Sequence, residues 1–299
     1  MEELSDQRPR RPGLRSETSA KAQSEAVWPQ LIHHPASEYQ TEQHMFTHIL
    51  KEIKNTKFPA EITYHSVPSE WGALIADHID KHEYTESSNA KVSFNNIAKK
   101  LVIRIMPTRV HACHNDWVHR VYRQWIRQNL VTLDHLDNIR TFTDNTQERF
   151  AAPYANSRKI PDLCIMPDNQ YQPSFVIEVG WSESHERLMD DMKLWMEGGA
   201  PYVKNVLIIK WAMNANTKEV RGKAELYARD PAGNPYCSQQ SVLFPATITG
   251  NSLYITAGDL FGPLLPQGVA ATTLLPLSMD ILRQEARDAM VHMGVTPKP

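Results

Sequence analysis

Apolar residues recur along this chain with two periods, and the switches between them mark out its elements. From Glu42 to Lys54 the spacing is helical. It is helical again from Glu70 to about His82, with Trp71, Leu74, Ile75, His78 and Ile79 on one face. A hairpin follows: Lys91–Phe94, a turn at Asn95-Asn96, then the apolar run Leu101–Met106. Pro107-Thr108 breaks that strand, and Thr108 is placed to cap a helix over Arg109–Leu130. Val118, Val121, Tyr122 and Trp125 share one face of it, with His111 and His114 a turn back. Arg120, Arg123 and Arg127 line the opposite face, as a solvated stripe or a phosphate contact.

Beyond a polar stretch (134–159), Ile160–Met166 and Phe175–Gly180 read as strands around a turn at Pro167-Asp168-Asn169-Gln170. Ser184–Glu197 is a helix burying Leu188, Met192 and Trp195, ended by Gly198-Gly199. Val203–Trp211 is a nearly continuous apolar strand of the kind buried on both faces. Shorter strands are expected at Ala224–Arg229, Ser241–Phe244 and Leu253–Thr256, and a last helix at Met279–Met293.

Composition narrows the class. Residues 1–40 are rich in Arg, Pro, Ser, Gln and Glu, and read as a disordered tail. Arg8, Arg10, Arg11 and Arg15 in it form either a nuclear-import signal or a solvated cluster. A variable helical region (41–90) precedes the main α/β domain, and a C-terminal segment (263–299) carries the final helix. Three cysteines, Cys113, Cys164 and Cys237, are too few and too scattered for a disulfide framework or a zinc site. The start of the chain never turns hydrophobic, and no run reaches the roughly 20 apolar residues of a membrane span. A cytoplasmic or nuclear protein with no membrane partner is expected. Lys plus Arg total 32 against 34 for Asp plus Glu, so any nucleic-acid contact must come from local patches.

The chemistry concentrates in two acids. If 160–166 and 174–180 pair as an antiparallel hairpin, Asp162 and Glu178 stand opposite each other, Cβ atoms about 5 Å apart. Two such carboxylates repel unless a cation lies between them. Mg²⁺ suits such a pair, completed by waters and substrate phosphate. The bland alternative places Glu178 at a solvated strand end, or pairs it with a nearby Arg or Lys.

Pro161-Asp162, Glu178 within Phe175-Val176-Ile177-Glu178-Val179, and the helix after it resemble the PD-(D/E)xK nuclease superfamily. Glu178-Val179-Gly180-Trp181-Ser182-Glu183-Ser184, with Leu188, Asp191 and Trp195, is similar to fungal proteins related to putative bacterial restriction endonucleases. So are Leu101–Thr108 and Val206–Trp211. The resemblance covers about residues 91–262. It implies a restriction-endonuclease-like α/β fold, a mixed β-sheet flanked by helices. It also implies metal-dependent hydrolysis of phosphodiester bonds in DNA or RNA, with Mg²⁺ (or Mn²⁺) held by Asp162 and Glu178. The superfamily's Lys, two residues after the second acid, is replaced here by Gly180. Lys193 on the following helix is the expected substitute, Lys210 a weaker one, and His111 or His114 could assist. A fold that has lost catalysis and serves protein or nucleic-acid interaction is the alternative.

Overall fold

The structure, a computed structural model, describes residues 28–168, 170–181, 185–246 and 248–299. The Arg8–Arg15 cluster and Ser182-Glu183-Ser184 lie outside these residues. In chain order the first elements are β1 (Gln30–Pro35), α1 (Glu42–Asn55), β2 (Ala60–His65), α2 (Ser69–Asp80) and α3 (Glu83–Ser88). There follow β3 (Lys91–Asn95), β4 (Lys100–Ile105), α4 (Arg109–Ala112), α5 (His114–Arg127), α6 (Leu133–Leu136) and β5 (Ile139–Phe142). The second half comprises β6 (Leu163–Pro167), β7 (Phe175–Trp181), α7 (His185–Lys193), β8 (Asn205–Met213), β9 (Glu219–Arg229) and β10 (Pro235–Phe244). It closes with β11 (Ser252–Thr256), α8 (Ala257–Phe261), β12 (Leu274–Ser278), α9 (Met279–Met293) and β13 (Thr296–Pro297).

Two mixed sheets organise these elements. The larger runs β10-β9-β8-β7-β6-β5, with β13 added beside β9. β7 and β8 run parallel, as they must when joined by a crossover helix, here α7. β8 is buried on both faces from Val206 to Ile209, which explains its nearly continuous apolar run. One face packs Leu188, Met192 and Trp195 against Cys164, Val176 and Ile208. The other packs α5, α9 and the antiparallel β11–β12 pair over Ile165, Ile177 and Leu207. Trp117 and Trp125 fix α5 there by donating their indole N–H groups to the Ser278 and Pro276 carbonyls, at 2.8 and 2.7 Å.

The smaller sheet runs β1-β2-β4-β3 and is covered by α1 and α2 through Ile49, Ile53, Ile75 and Ile79. The hairpin read over 91–106 forms as β3 and β4 in this sheet. Two expectations change here. Residues 28–40 of the expected tail are ordered, because β1 completes the sheet along β2. The Arg109–Leu130 helix is divided at Cys113 into α4 and α5, with Thr108 capping α4 as read from the sequence. Among the described residues no helix is long and apolar enough to cross a membrane.

Candidate functional site

β6 and β7 pair antiparallel with Leu163 opposite Ile177 and Cys164 opposite Val176. One step further in the same register sets Asp162 opposite Glu178, as the hairpin reading requires. Both acids are buried, Asp162 4% and Glu178 0% exposed. Asp162 lies just before β6, and its Oδ2 accepts the Val179 N–H at 2.7 Å. Its Oδ1 is bound by the Arg104 guanidinium from β4, with His111 Nε2 at 3.4 Å. Glu178 Oε1 accepts the Trp195 indole N–H at 2.8 Å. Trp195 stands on a π-turn, Leu194–Gly198, that continues α7. Lys159 Nζ lies 3.2 Å from Glu178 Oε2, near enough for charge attraction but not aligned as a hydrogen bond.

The charges continue outward. Lys159 also bonds Asp191 at 2.7 Å, and Arg187 bonds the same carboxylate at 2.5 Å from one turn earlier on α7. Arg187 then reaches across to Glu61 on β2 at 2.8 Å. Glu61 and Arg104 are register partners on neighbouring strands, so the smaller sheet contributes one charge of each sign. The result is a buried lattice of alternating acids and bases that ties the two sheets together.

Burial sets the protonation states, and the partners modify them. Burial raises the Glu178 carboxyl to about 7, Lys159 opposing this while Asp191 and Asp162 add to it. Burial acts the same way on Asp162 and is the largest single influence, but Arg104, His111, His114 and Lys91 together outweigh it and hold that carboxyl well below the usual range. Asp191 is also lowered, with Lys159 and Arg187 overcoming the burial penalty. His111, pushed down to about 3 chiefly by burial, stays neutral at physiological pH.

This arrangement explains Gly180. A Cβ at that position would fall 2.9 Å from Arg187 Nη2 and 3.0 Å from Leu188. The space that a strand side chain would take is therefore filled by a guanidinium from the helix. The helix α7 does present a cation at this position, but it is Arg187 and not the expected Lys193. Lys193 is exposed and makes no ion pair or hydrogen bond among the described residues, because it falls on the helix face away from Arg187 and Asp191. Lys210 is engaged elsewhere, with Glu225 at 2.8 Å. His114, buried, turns its Nδ1 to the His111 carbonyl at 2.8 Å.

The residues present do not fit a divalent cation. Each of the two acids already has a buried cationic partner, and among the described residues no three His, Cys, Asp or Glu side chains are arranged to hold a metal ion. The approach is also unsuited to a phosphate. A cleft of about 340 Å³ reaches Arg104 and His111, but its other walls include Ile105, Pro107, Val179 and Trp181.

Asp191 and Arg104 stand within the segments that carry the resemblance but without a role assigned there, and Lys159, Glu61 and Arg187 carry no motif signal at all. A common signal marks the strand members. Arg104 in Leu101–Ile105 and Glu61 in Ala60–Tyr64 interrupt apolar strands just as Glu178 does. Comparison with protein-family models and with curated proteins finds no match for this chain.

Proposed function

We propose that this chain is a restriction-endonuclease-like module that acts by binding a macromolecular partner and does not hydrolyse phosphodiesters. The observation that carries the reading is the pairing of Asp162 with Arg104 and of Glu178 with Lys159, all four buried. Metal-dependent hydrolysis needs carboxylate oxygens free to bind the ion and a phosphate that can reach it. Here a protein cation occupies each carboxylate, and Glu178 has no exposed surface. The order β5-β6-β7-β8, the acids facing across β6 and β7, and α7 following β7 support nuclease ancestry for the fold. The lattice keeps those acids for another purpose, joining the two sheets.

The test uses supercoiled plasmid and single-stranded RNA with Mg²⁺ or Mn²⁺. The expected result is no cleavage, and no saturable metal binding in calorimetry that Asp162→Asn or Glu178→Gln removes. Metal-dependent cleavage by the wild type that Glu178→Gln abolishes would overturn the proposal.

A further inference from the structure

The end of the larger sheet at β8, β9 and β10 gathers cations around an open cleft of about 940 Å³. Lys210 on β8 stands directly opposite Lys223 on β9, and Val242 on β10 is the next residue across. Two positions along β9, Arg221 faces the same way, and Lys298 just past β13 completes the rim. Like charges directly opposite on a sheet destabilise it. Glu225 relieves part of this by bonding Lys210 and Lys223, each at 2.8 Å. Arg221 and Lys298 touch no carboxylate among the described residues, so the face carries uncompensated positive charge on a protein whose net charge is −2.

The cleft is also lined by apolar residues. Trp211, next to Lys210 on β8 and so directed to the other face of the sheet, packs over Gly222: a Cβ there would fall 2.3 Å from the indole ring. Val242 is 44% exposed at the rim, next to half-buried Pro245. These features separate two kinds of anionic partner. A nucleic-acid strand gains from aromatic faces on which bases stack. Trp211 and Phe244 offer none, being 0% and 2% exposed, and Arg287 covers the Phe244 ring at 5.2 Å. An acidic peptide with small apolar residues would use both the cations and Val242. In an extended peptide, residues two apart stand about 6.6–6.8 Å apart, the same interval that separates Arg221 from Lys223 along β9.

We propose that this face docks an extended acidic segment of a partner protein, in which Asp or Glu alternates with small apolar residues. The proposal rests on the binding-module reading above. It fails separately, since cleavage assays test that reading and peptide binding tests this one.

The experiment is fluorescence anisotropy of the full chain with a labelled peptide alternating Glu and Val. A Lys–Val peptide and a single-stranded oligonucleotide of equal length serve as comparisons. Expected are saturable binding of the acidic peptide, weakening as salt rises, and loss of about tenfold or more in affinity with Arg221→Glu plus Lys223→Glu. Arg221→Glu plus Lys298→Glu, which leaves the Glu225 pairs intact, should act alike, and Val242→Asp should also weaken binding. Failure of the acidic peptide to bind, equal binding of the Lys–Val peptide, or binding unchanged in both double variants would overturn the proposal. So would an oligonucleotide that binds more tightly than the peptide.

Discussion

Glu178→Gln should flatten the dependence of stability on pH, because the charges of the lattice balance only when Glu178 is protonated. Glu61, Asp162 and Asp191 face Arg104, Lys159 and Arg187, and His111 is neutral. A fourth ionised carboxylate leaves one buried negative charge over. The Glu178 carboxyl is raised from 4.5 to about 7, with burial the leading cause. The folded protein then binds more protons than the unfolded chain between those values. The stability this group contributes is therefore fully present below about pH 4.5 and is lost as pH rises through about 7. At 1.36 kcal/mol per pH unit, the full loss is on the order of 3 kcal/mol. No discount for solvent applies, since Glu178 is fully buried. The amide of the variant would mimic the protonated acid and keep an acceptor for the Trp195 indole. Urea denaturation of both proteins at pH 5 and pH 8.5 measures the difference, because all other titrating groups are shared. The variant should gain about 2.5 kcal/mol on the wild type between the two pH values, since part of the loss is already complete at pH 5. A stability difference that is constant across this range would refute the reasoning and place an ionised Glu178 in the lattice throughout.

Asp162→Asn should cost about 3–5 kcal/mol, since it leaves the Arg104 guanidinium buried without its counter-charge; denaturant midpoints check this, and a change under about 1 kcal/mol would contradict the lattice. Lys193→Ala should change stability by less than about 0.5 kcal/mol in the same assay, as expected of an exposed side chain away from the lattice. Gly180→Lys, which places a lysine two residues after Glu178, should destabilise by at least about 1–3 kcal/mol by displacing Arg187 and Leu188. It should also yield no Mg²⁺-dependent nuclease, a plasmid assay being sufficient to tell.

The parts of this fold that were legible in the sequence are those whose signals are local. Thr108 and the apolar stripe from Val118 to Trp125 mark a helix wherever they occur, and Met279–Met293 ends at Gly294 in the left-handed conformation. The pairing of Asp162 with Glu178 was readable for the same reason, since one short turn fixes the register of a hairpin. The sheet to which β3 and β4 belong was not, because β2 precedes β4 by some 40 residues and only the fold brings them together. Partners of the acids were hidden in the same way. Arg104 is 58 residues from Asp162, and Glu61 is 126 from Arg187. A charge inside an apolar strand announces that it needs a partner, but not which one.

The two acids alone fit two opposite chemistries, and only their neighbours decide between them. A carboxylate pair in register on adjacent strands repels unless positive charge is supplied. A metal site supplies it with an ion and leaves oxygens open to water and phosphate. This chain supplies it with Arg104 and Lys159, and the cost of burying those cations is offset by further carboxylates, Asp191 among them. Arg187 extends the alternation over Gly180 to Glu61 on the other sheet. Each added charge needs the next, so the network terminates only when it has crossed from one sheet to the other. The bare position 180 and the inter-sheet clamp are on this view one feature: with Gly180 bare, Arg187 has room to enter, and once it has entered a side chain at position 180 does not.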